Sequence, residues 1–501
     1  MKNFICKLFS PLWDNPRNGV FLVLIFTVAA WTIQCSCLQS VLGLDVLEAI
    51  SWGKNYDTWG NVKHPPLSGW IALAFTTLSG GRDWSLYLAA QLSLATGIWF
   101  TYLLGKMFLD KYSAAAGAVL LASCYYYCPS LLKFSTFFVE TALAPVIAWS
   151  FFKAVREKKA VWYIVLGAVS AAGFLNKYSI GLLFIALAAV MFSTREYRRE
   201  LRSIRPYLSA VIFILLISPH IHWLVNNDFI CLKHIGNRLD EEFRWYEPLI
   251  VAATAVYPFV LMYAVMTAAA FPLRKKLEKI SINKPVFKWS LILSALPCAF
   301  LLLNSLCGKS VIMLWFSTLA SFCGILAVSL FPRKITRDLY RNILILIMVY
   351  MVGVFLATTI DLMVKSRPRL HMKPEDVIAE VNKVWQKENP GKPIPLVLGD
   401  RWFGNIIAHY HKDAPDFCEF DEELKDYWKT GKYIDKALAN GAVVISRNHL
   451  LFMEFSSELE KRCGQSIDFH HNAIIPYKSL FGKQKARTLF IRVIRAHASE
   501  K

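Results

Sequence analysis

From Val20 to about Ile360 the chain is a succession of apolar blocks separated by short clusters of Lys and Arg. Most blocks come near the roughly 20 residues that a helix needs to cross a hydrocarbon layer of about 30 Å, and several are shorter. In lipid every backbone N–H and C=O must find its partner inside the segment, so blocks of this kind are restricted to helices. Of the 501 residues 55% are hydrophobic and 18% are charged, which excludes an ordinary soluble core. The chain reads as an α-helical polytopic membrane protein, followed by about 140 residues of soluble composition.

The candidate spans are 18–39, 84–106, 112–128, 135–152, 160–173, 176–193, 207–224, 249–271, 287–304, 310–331 and 341–361. A net charge of +20 invites a nucleic-acid reading. The cations, however, sit in loops between spans: Lys106/Lys111, Lys153/Arg156/Lys158/Lys159, Arg195/Arg198/Arg199/Arg202/Arg205, Arg274/Lys275/Lys276/Lys279/Lys284 and Arg333/Lys334/Arg337/Arg341. With eleven crossings all five loops share the side of the basic N-terminus, as the positive-inside bias requires. No nucleic-acid partner is therefore expected. Lys2, Lys7 and Arg17 precede Val20 to Cys37, a block too long for a signal core and without a small-residue cleavage site, so it reads as a retained first helix.

The same parity decides the stretch Pro66 to Gly80. It is apolar but only about 15 residues long. Counted as a span it would throw every later basic loop outside, so it reads as an interfacial helix on the outer surface, with Pro65 and Pro66 at its start. The expected division is a membrane domain over 1–361, whose outer loop 40–83 holds the site, and a small extracytoplasmic α/β domain over 362–501. In that tail, strands at Ile394 to Leu398, Ala442 to Ser446 and Thr488 to Val493 alternate with helices at Trp402 to Tyr410 and Leu451 to Lys461. The eleven cysteines form no zinc-like pairs, and neither a metal nor another cofactor is expected; Cys418 and Cys463 could pair if the tail faces an oxidising compartment.

The polar residues left unexplained lie in the outward segments. In Asp45-Val46-Leu47-Glu48-Ala49-Ile50-Ser51-Trp52, helical spacing puts Asp45, Glu48 and Trp52 on one face, with carboxylates available to an aqueous cavity. Lys63-His64-Pro65-Pro66 holds a cation and an imidazole at a rigid entry suited to phosphate. Asn176-Lys177-Tyr178 places a Lys between two spans at the outer face, either bound to an anion or snorkelling. The loop from Asn226 to Tyr246 adds Lys233, His234, Arg238, Asp240, Glu241, Glu242, Arg244 and Trp245. Glu140, early in a span, is a further candidate because a buried acid there is costly.

Asp45 to Trp70, with acids followed by Trp59-Gly60-Asn61-Val62-Lys63-His64-Pro65-Pro66-Leu67, resembles the first outer loop of the protein O-mannosyltransferase and aminoarabinose (lipid A) transferase superfamily of GT-C type glycosyltransferases. The resemblance continues through Gly173 to Ser179, Trp223 to Arg238 and Leu398-Gly399-Asp400-Arg401-Trp402. It implies a GT-C fold with about 11 to 13 transmembrane helices in a bacterial inner membrane. It also implies a polyprenyl (undecaprenyl) phosphate-linked hexose or pentose as donor, and inverting transfer at the periplasmic face to lipid A or a related glycolipid. An outer-loop acid is the implied catalytic residue. The family's adjacent Asp-Glu pair is here spaced as Asp45 and Glu48, with Asp45 favoured. Lys63, His64, Lys177 and Arg238 are the cations for the donor phosphate, and Trp52, Glu140, Tyr178 and Arg244 are cavity candidates. The competing reading is a lipid or sugar transporter, which would be expected to carry internal repeats and polar residues near the membrane centre.

Overall fold

The computed structural model describes residues 9–55, 59–127, 133–239, 243–311, 313–419, 429–463 and 470–495. The predicted Asp240, Glu241 and Glu242 lie outside the described residues, as does the side chain of Cys463. The helices run α1 (Pro16–Leu38), α2 (Leu44–Asn55), α3 (Leu67–Leu78), α4 (Trp84–Lys106), α5 (Lys111–Leu120), α6 (Thr136–Glu157), α7 (Ala160–Asn176), α8 (Gly181–Ser193), α9 (Arg205–Asn226), α10 (Ile230–Leu239), α11 (Glu247–Ala270), α12 (Lys284–Leu306), α13 (Ser317–Leu330) and α14 (Arg337–Val364). In the tail α15 (Pro374–Glu388), α16 (Arg401–Tyr410), α17 (Lys429–Asn440) and α18 (His449–Cys463) alternate with β1 (Leu396–Gly399), β2 (Asp416–Glu419), β3 (Ala442–Ser446), β4 (His470–Tyr477) and β5 (Lys485–Ile494).

Each of the eleven predicted spans contains helix. Among the described residues seven helices are long and apolar enough to cross a membrane, and the chain is a multi-pass membrane protein. Four shorter apolar helices accompany them, including α3 at Leu67–Leu78. Two boundaries needed correction. The span 112–128 is not one α-helix: α5 gives way at Leu121 to two short 3-10 turns. The loop after α9 is not irregular throughout, because Ile230–Leu239 closes into α10.

Two compact units are distinguished. The first comprises 1–33, 58–68 and 87–357; the second comprises 34–57, 69–86 and 358–501. The first is a helical bundle in which α6, α8, α12 and α13 bury Phe152, Leu183, Leu293 and Ile325 in one core. Asp110 caps α5, its carboxylate accepting from the N–H groups of Tyr112 and Ser113 at 2.9 and 3.1 Å.

The basic loops of this unit are tied to one another. Arg156 donates to the Met107 carbonyl, Arg205 to the Lys158 carbonyl at 2.8 Å, and Lys288 to the Ser193 carbonyl at 2.7 Å. Arg333 donates to the Leu277 carbonyl at 3.0 Å, and Arg337 pairs with Asp14 of the N-terminal segment. Consecutive loops thus meet at one end of the bundle, the arrangement that eleven crossings demand.

In the second unit the sheet order is β2-β1-β3-β5-β4, with β1 parallel to both β2 and β3 and the β4–β5 hairpin antiparallel. Residues 44–55 and 69–78 belong to this unit, and α2 packs on α16 through Ser51 and Asn405. The sequence pattern missed β2, only four residues long, and β4, whose Pro476 reads as a breaker but lies near the hairpin end. Cys418 is buried, and its pairing with Cys463 falls outside the described residues.

Candidate functional site

In the first unit, residues 59–66 form an irregular loop held almost residue by residue. Asn61 makes the turn: its Oδ1 accepts from the N–H groups of both Lys63 and His64 at 2.9 Å, and its own N–H donates to the His64 carbonyl at 3.2 Å. This is the local Asn-to-backbone bonding that competes with helix and favours turns. Its carbonyl accepts from the buried Cys231 thiol at 2.8 Å.

Gly60 lets the loop approach α9. A Cβ at this position would lie 2.3 Å from the Trp223 indole, closer than any real contact. His220 secures the preceding residue. A carbonyl can only accept, so Nδ1–H of His220 donates to the Trp59 carbonyl and its Nε2 accepts from the Tyr178 hydroxyl at 2.7 Å. One turn of α9 therefore holds Trp59 and Gly60, and α10 holds Asn61.

The loop delivers Lys63 and His64 into a concentration of positive charge. Burial pushes the His64 imidazole well below its ordinary range, and Lys177, His234, Lys63 and Arg238 lower it further. His64 is neutral at pH 7. Of the residues expected to meet a phosphate, Lys63, Lys177 and Arg238 all act on His64, and so does His234. A bound anion would relieve their mutual repulsion and could accept several charge-assisted hydrogen bonds.

Lys177 is balanced from the other side. Its Nζ lies 3.3 Å from Oε2 of Glu140, whose Oε1 accepts from Ser179 and, at 3.0 Å, from Thr318. Glu140 is 1% exposed. This acid is a counter-ion of Lys177. Tyr178 likewise serves the loop through His220. Arg244 is exposed and donates to the Tyr246 hydroxyl at 2.9 Å.

The carboxylates Asp45 and Glu48 belong to α2 in the second unit. Asp45 is half-buried in the first turn, whereas Glu48 is buried and meets Arg401, whose Nη1 lies 3.3 Å from its Oε1. The Nε of Arg401 lies 3.0 Å from Oε1 of Glu419, so the guanidinium joins α2 to β2. Trp52 is half-buried one turn further along α2. Arg401 owes its position to the preceding turn. Asp400 caps α16 by accepting from Trp402 and Phe403 at 2.9 and 3.0 Å, and Gly399 sits at φ 125° where a Cβ would lie 2.0 Å from the Ile445 carbonyl. Among the described residues no cluster of His, Cys, Asp and Glu has the makings of a metal site.

Residues 63–223 match the dolichyl-phosphate-mannose-protein mannosyltransferase family. The structure is similar to ArnT from Cupriavidus metallidurans bound to undecaprenyl phosphate, with a TM-score of 0.61 and 13% identity over 94% of this chain and 97% of that one. It is similar to the apo state of the same protein at a TM-score of 0.59, with 13% identity over 95% and 98% of the two chains. The fold is that of the GT-C glycosyltransferases. In sequence the chain is 22% identical over 244 residues to the lipopolysaccharide core galacturonosyltransferase RgtA of Rhizobium johnstonii; the match spans about half of each, 47% of this chain and 48% of that relative.

On this GT-C fold the matched segment carries Lys63, His64, Glu140, Lys177, Tyr178 and His220, all of them in the network just described. Arg401 and His220 were the residues missed. Arg401 stands inside the Leu398-Gly399-Asp400-Arg401-Trp402 resemblance, but residue spacing gives it no tie to α2. His220 carried no signal beyond being a polar residue inside an apolar span.

Proposed function

We propose that this chain is a membrane-embedded inverting glycosyltransferase. It moves a hexose or pentose from a polyprenyl phosphate, undecaprenyl phosphate in a bacterial inner membrane, to lipid A or another cell-envelope glycolipid at the periplasmic face. The observation that carries the reading is the gathering of Lys177, His234, Lys63 and Arg238 around His64 on a loop whose backbone is fixed by Asn61. The loop joins the end of the bundle away from the tied basic loops, so the positive-inside bias favours the periplasmic side for it, for the site and for the tail, with the N-terminus cytoplasmic.

The chemistry follows from the donor. An acceptor oxygen attacks the anomeric carbon from the face opposite the phosphate, and the carbon–oxygen bond breaks with its electron pair leaving on the polyprenyl phosphate. Lys63, Lys177 and Arg238 stabilise that departing charge, while neutral His64 donates a hydrogen bond to it. A hydroxyl acceptor needs a base, for which Asp45 is the candidate put to the test below; a phosphate acceptor needs none. Glu48, already engaged by Arg401, orients α2.

The test is transfer itself. Purified protein is incubated with a labelled polyprenyl-phosphate sugar and lipid A. Product formation that falls by orders of magnitude in Asp45→Asn and only modestly in Glu48→Gln supports the reading. Movement of donor between leaflets with no transfer product would instead make the chain a transporter.

A further inference from the structure

The β4–β5 hairpin of the second unit ends in a tip that is rigid, apolar and ringed by cations. Leu480 and Phe481 are 62% and 69% exposed. Lys478, Lys483, Lys485 and Arg487 are exposed beside them. The tip is not a loose turn. Ser366 Oγ donates to the Lys483 carbonyl at 2.7 Å and accepts from the Ser479 N–H at 3.1 Å, while the Phe481 N–H donates to the Met363 carbonyl at 2.8 Å. Gly482 fits because a Cβ there would lie within 2.6 Å of Ser479 Oγ, Ser366 Oγ and the Val364 carbonyl.

These anchors fix the height of the tip. Helix α14 carries no charged residue from Ile343 to Ile360, about 27 Å of helix and close to one hydrocarbon thickness. Charge resumes at Asp361, which pairs with Lys365 at 2.8 Å and Arg367 at 2.6 Å. Met363 and Val364 lie within about one turn, 5 Å, of Ile360, where the uncharged stretch ends, inside a headgroup layer roughly 5 to 8 Å deep. The tip bound to them sits at the same level.

We propose that this hairpin tip is a lipid-binding surface, with Leu480 and Phe481 entering the bilayer boundary and Lys478, Lys483, Lys485 and Arg487 binding anionic headgroups. Exposed rigid apolar side chains at the interface, flanked by cations, match the chemistry of a negatively charged leaflet and have no use in water. The inference rests on the hairpin and its anchors at the end of α14, and stands whether or not the chain transfers sugars.

The test places 4-trifluoromethylphenylalanine at position 481 of the full-length protein in vesicles of phosphatidylcholine with or without phosphatidylglycerol. Fluorine relaxation is measured with a headgroup-nitroxide lipid and, separately, with a water-soluble gadolinium chelate. The lipid nitroxide is expected to act severalfold more strongly than the chelate. Its effect should rise with phosphatidylglycerol, and that rise should vanish in the Lys478→Gln/Lys483→Gln/Lys485→Gln/Arg487→Gln variant. A dominant effect of the chelate would overturn the surface altogether. A nitroxide effect indifferent to phosphatidylglycerol, or an unchanged rise in the quadruple variant, would overturn headgroup binding by these cations.

Discussion

Arg401 Nη1 stands 3.3 Å from Glu48 Oε1, which makes the first turn of a helix in the soluble tail the holder of an acid from the loop after the first span. The pair is largely buried, with side-chain exposures of 28% and 7%, so its worth is best judged by what remains when one partner is removed. Arg401→Met removes the guanidinium that Glu48 and Glu419 share and should cost about 2 to 3 kcal/mol of stability, discounted for its partial exposure. Arg401→Lys should retain stability better while lowering kcat more than it raises KM, because a single ammonium cannot hold both carboxylates in a fixed fork. Melting of the two variants, alone and combined with Glu48→Gln, checks this; full additivity across that cycle would mean that the contact carries no coupling.

His64 makes stability and binding depend on pH in a stated direction. Its folded-state pKa lies below the unfolded value near 6.5, so its contribution is fully present above that value and is lost as pH falls toward the folded pKa. Burial depresses His371 and His411 too, so the informative quantity is the difference between the wild type and His64→Gln. The wild type should lose more melting temperature than the variant between about pH 7 and 5. A phosphate bound beside His64 should pull its pKa up again, giving proton uptake on donor binding. Calorimetry in two buffers of different ionisation enthalpy reads it, and equal uptake in His64→Gln would assign the proton elsewhere.

The loop bonds predict which substitutions uncouple Lys63 and His64 from the bundle. Asn61→Ala removes the acceptor of two backbone N–H groups and should weaken polyprenyl-phosphate binding about tenfold, or roughly 1.4 kcal/mol. Gly60→Ala drives a methyl group into the Trp223 indole and should cost about 1 to 3 kcal/mol of stability. His220→Phe should weaken binding through the same loop with little change at α2. Binding isotherms and melts on the three variants check the set.

Glu140 and Lys177 should behave asymmetrically. Lys177→Met leaves a carboxylate buried at 1% exposure without its cation and should cost about 3 to 5 kcal/mol. Glu140→Gln leaves the more exposed Lys177 able to reach water or phosphate and should cost less. The double variant should recover much of the loss of Lys177→Met. Equal penalties for the two single variants would show that the carboxylate is not the buried burden taken here.

Hydropathy and charge parity made the helical architecture legible, because both record the solvent of each segment and need no partner. They located all eleven blocks, the helix at Leu67–Leu78 and the basic loops that meet at one end of the bundle. The same sequence singled out Lys63, Lys177 and Arg238, which act on His64 together with His234. It did not disclose that Glu140 belongs to Lys177, 37 positions away, or that Glu48 is held by Arg401. Those assignments depend on which side chains the packing brings within a few ångströms, and residue spacing along the chain carries no such information. Short elements were hidden for a related reason: four residues in β2 show no period of their own and become a strand by pairing with β1. Where the helices run was thus written locally, whereas what each buried charge does was decided by tertiary contact, in a low-dielectric interior where every charge must find its partner.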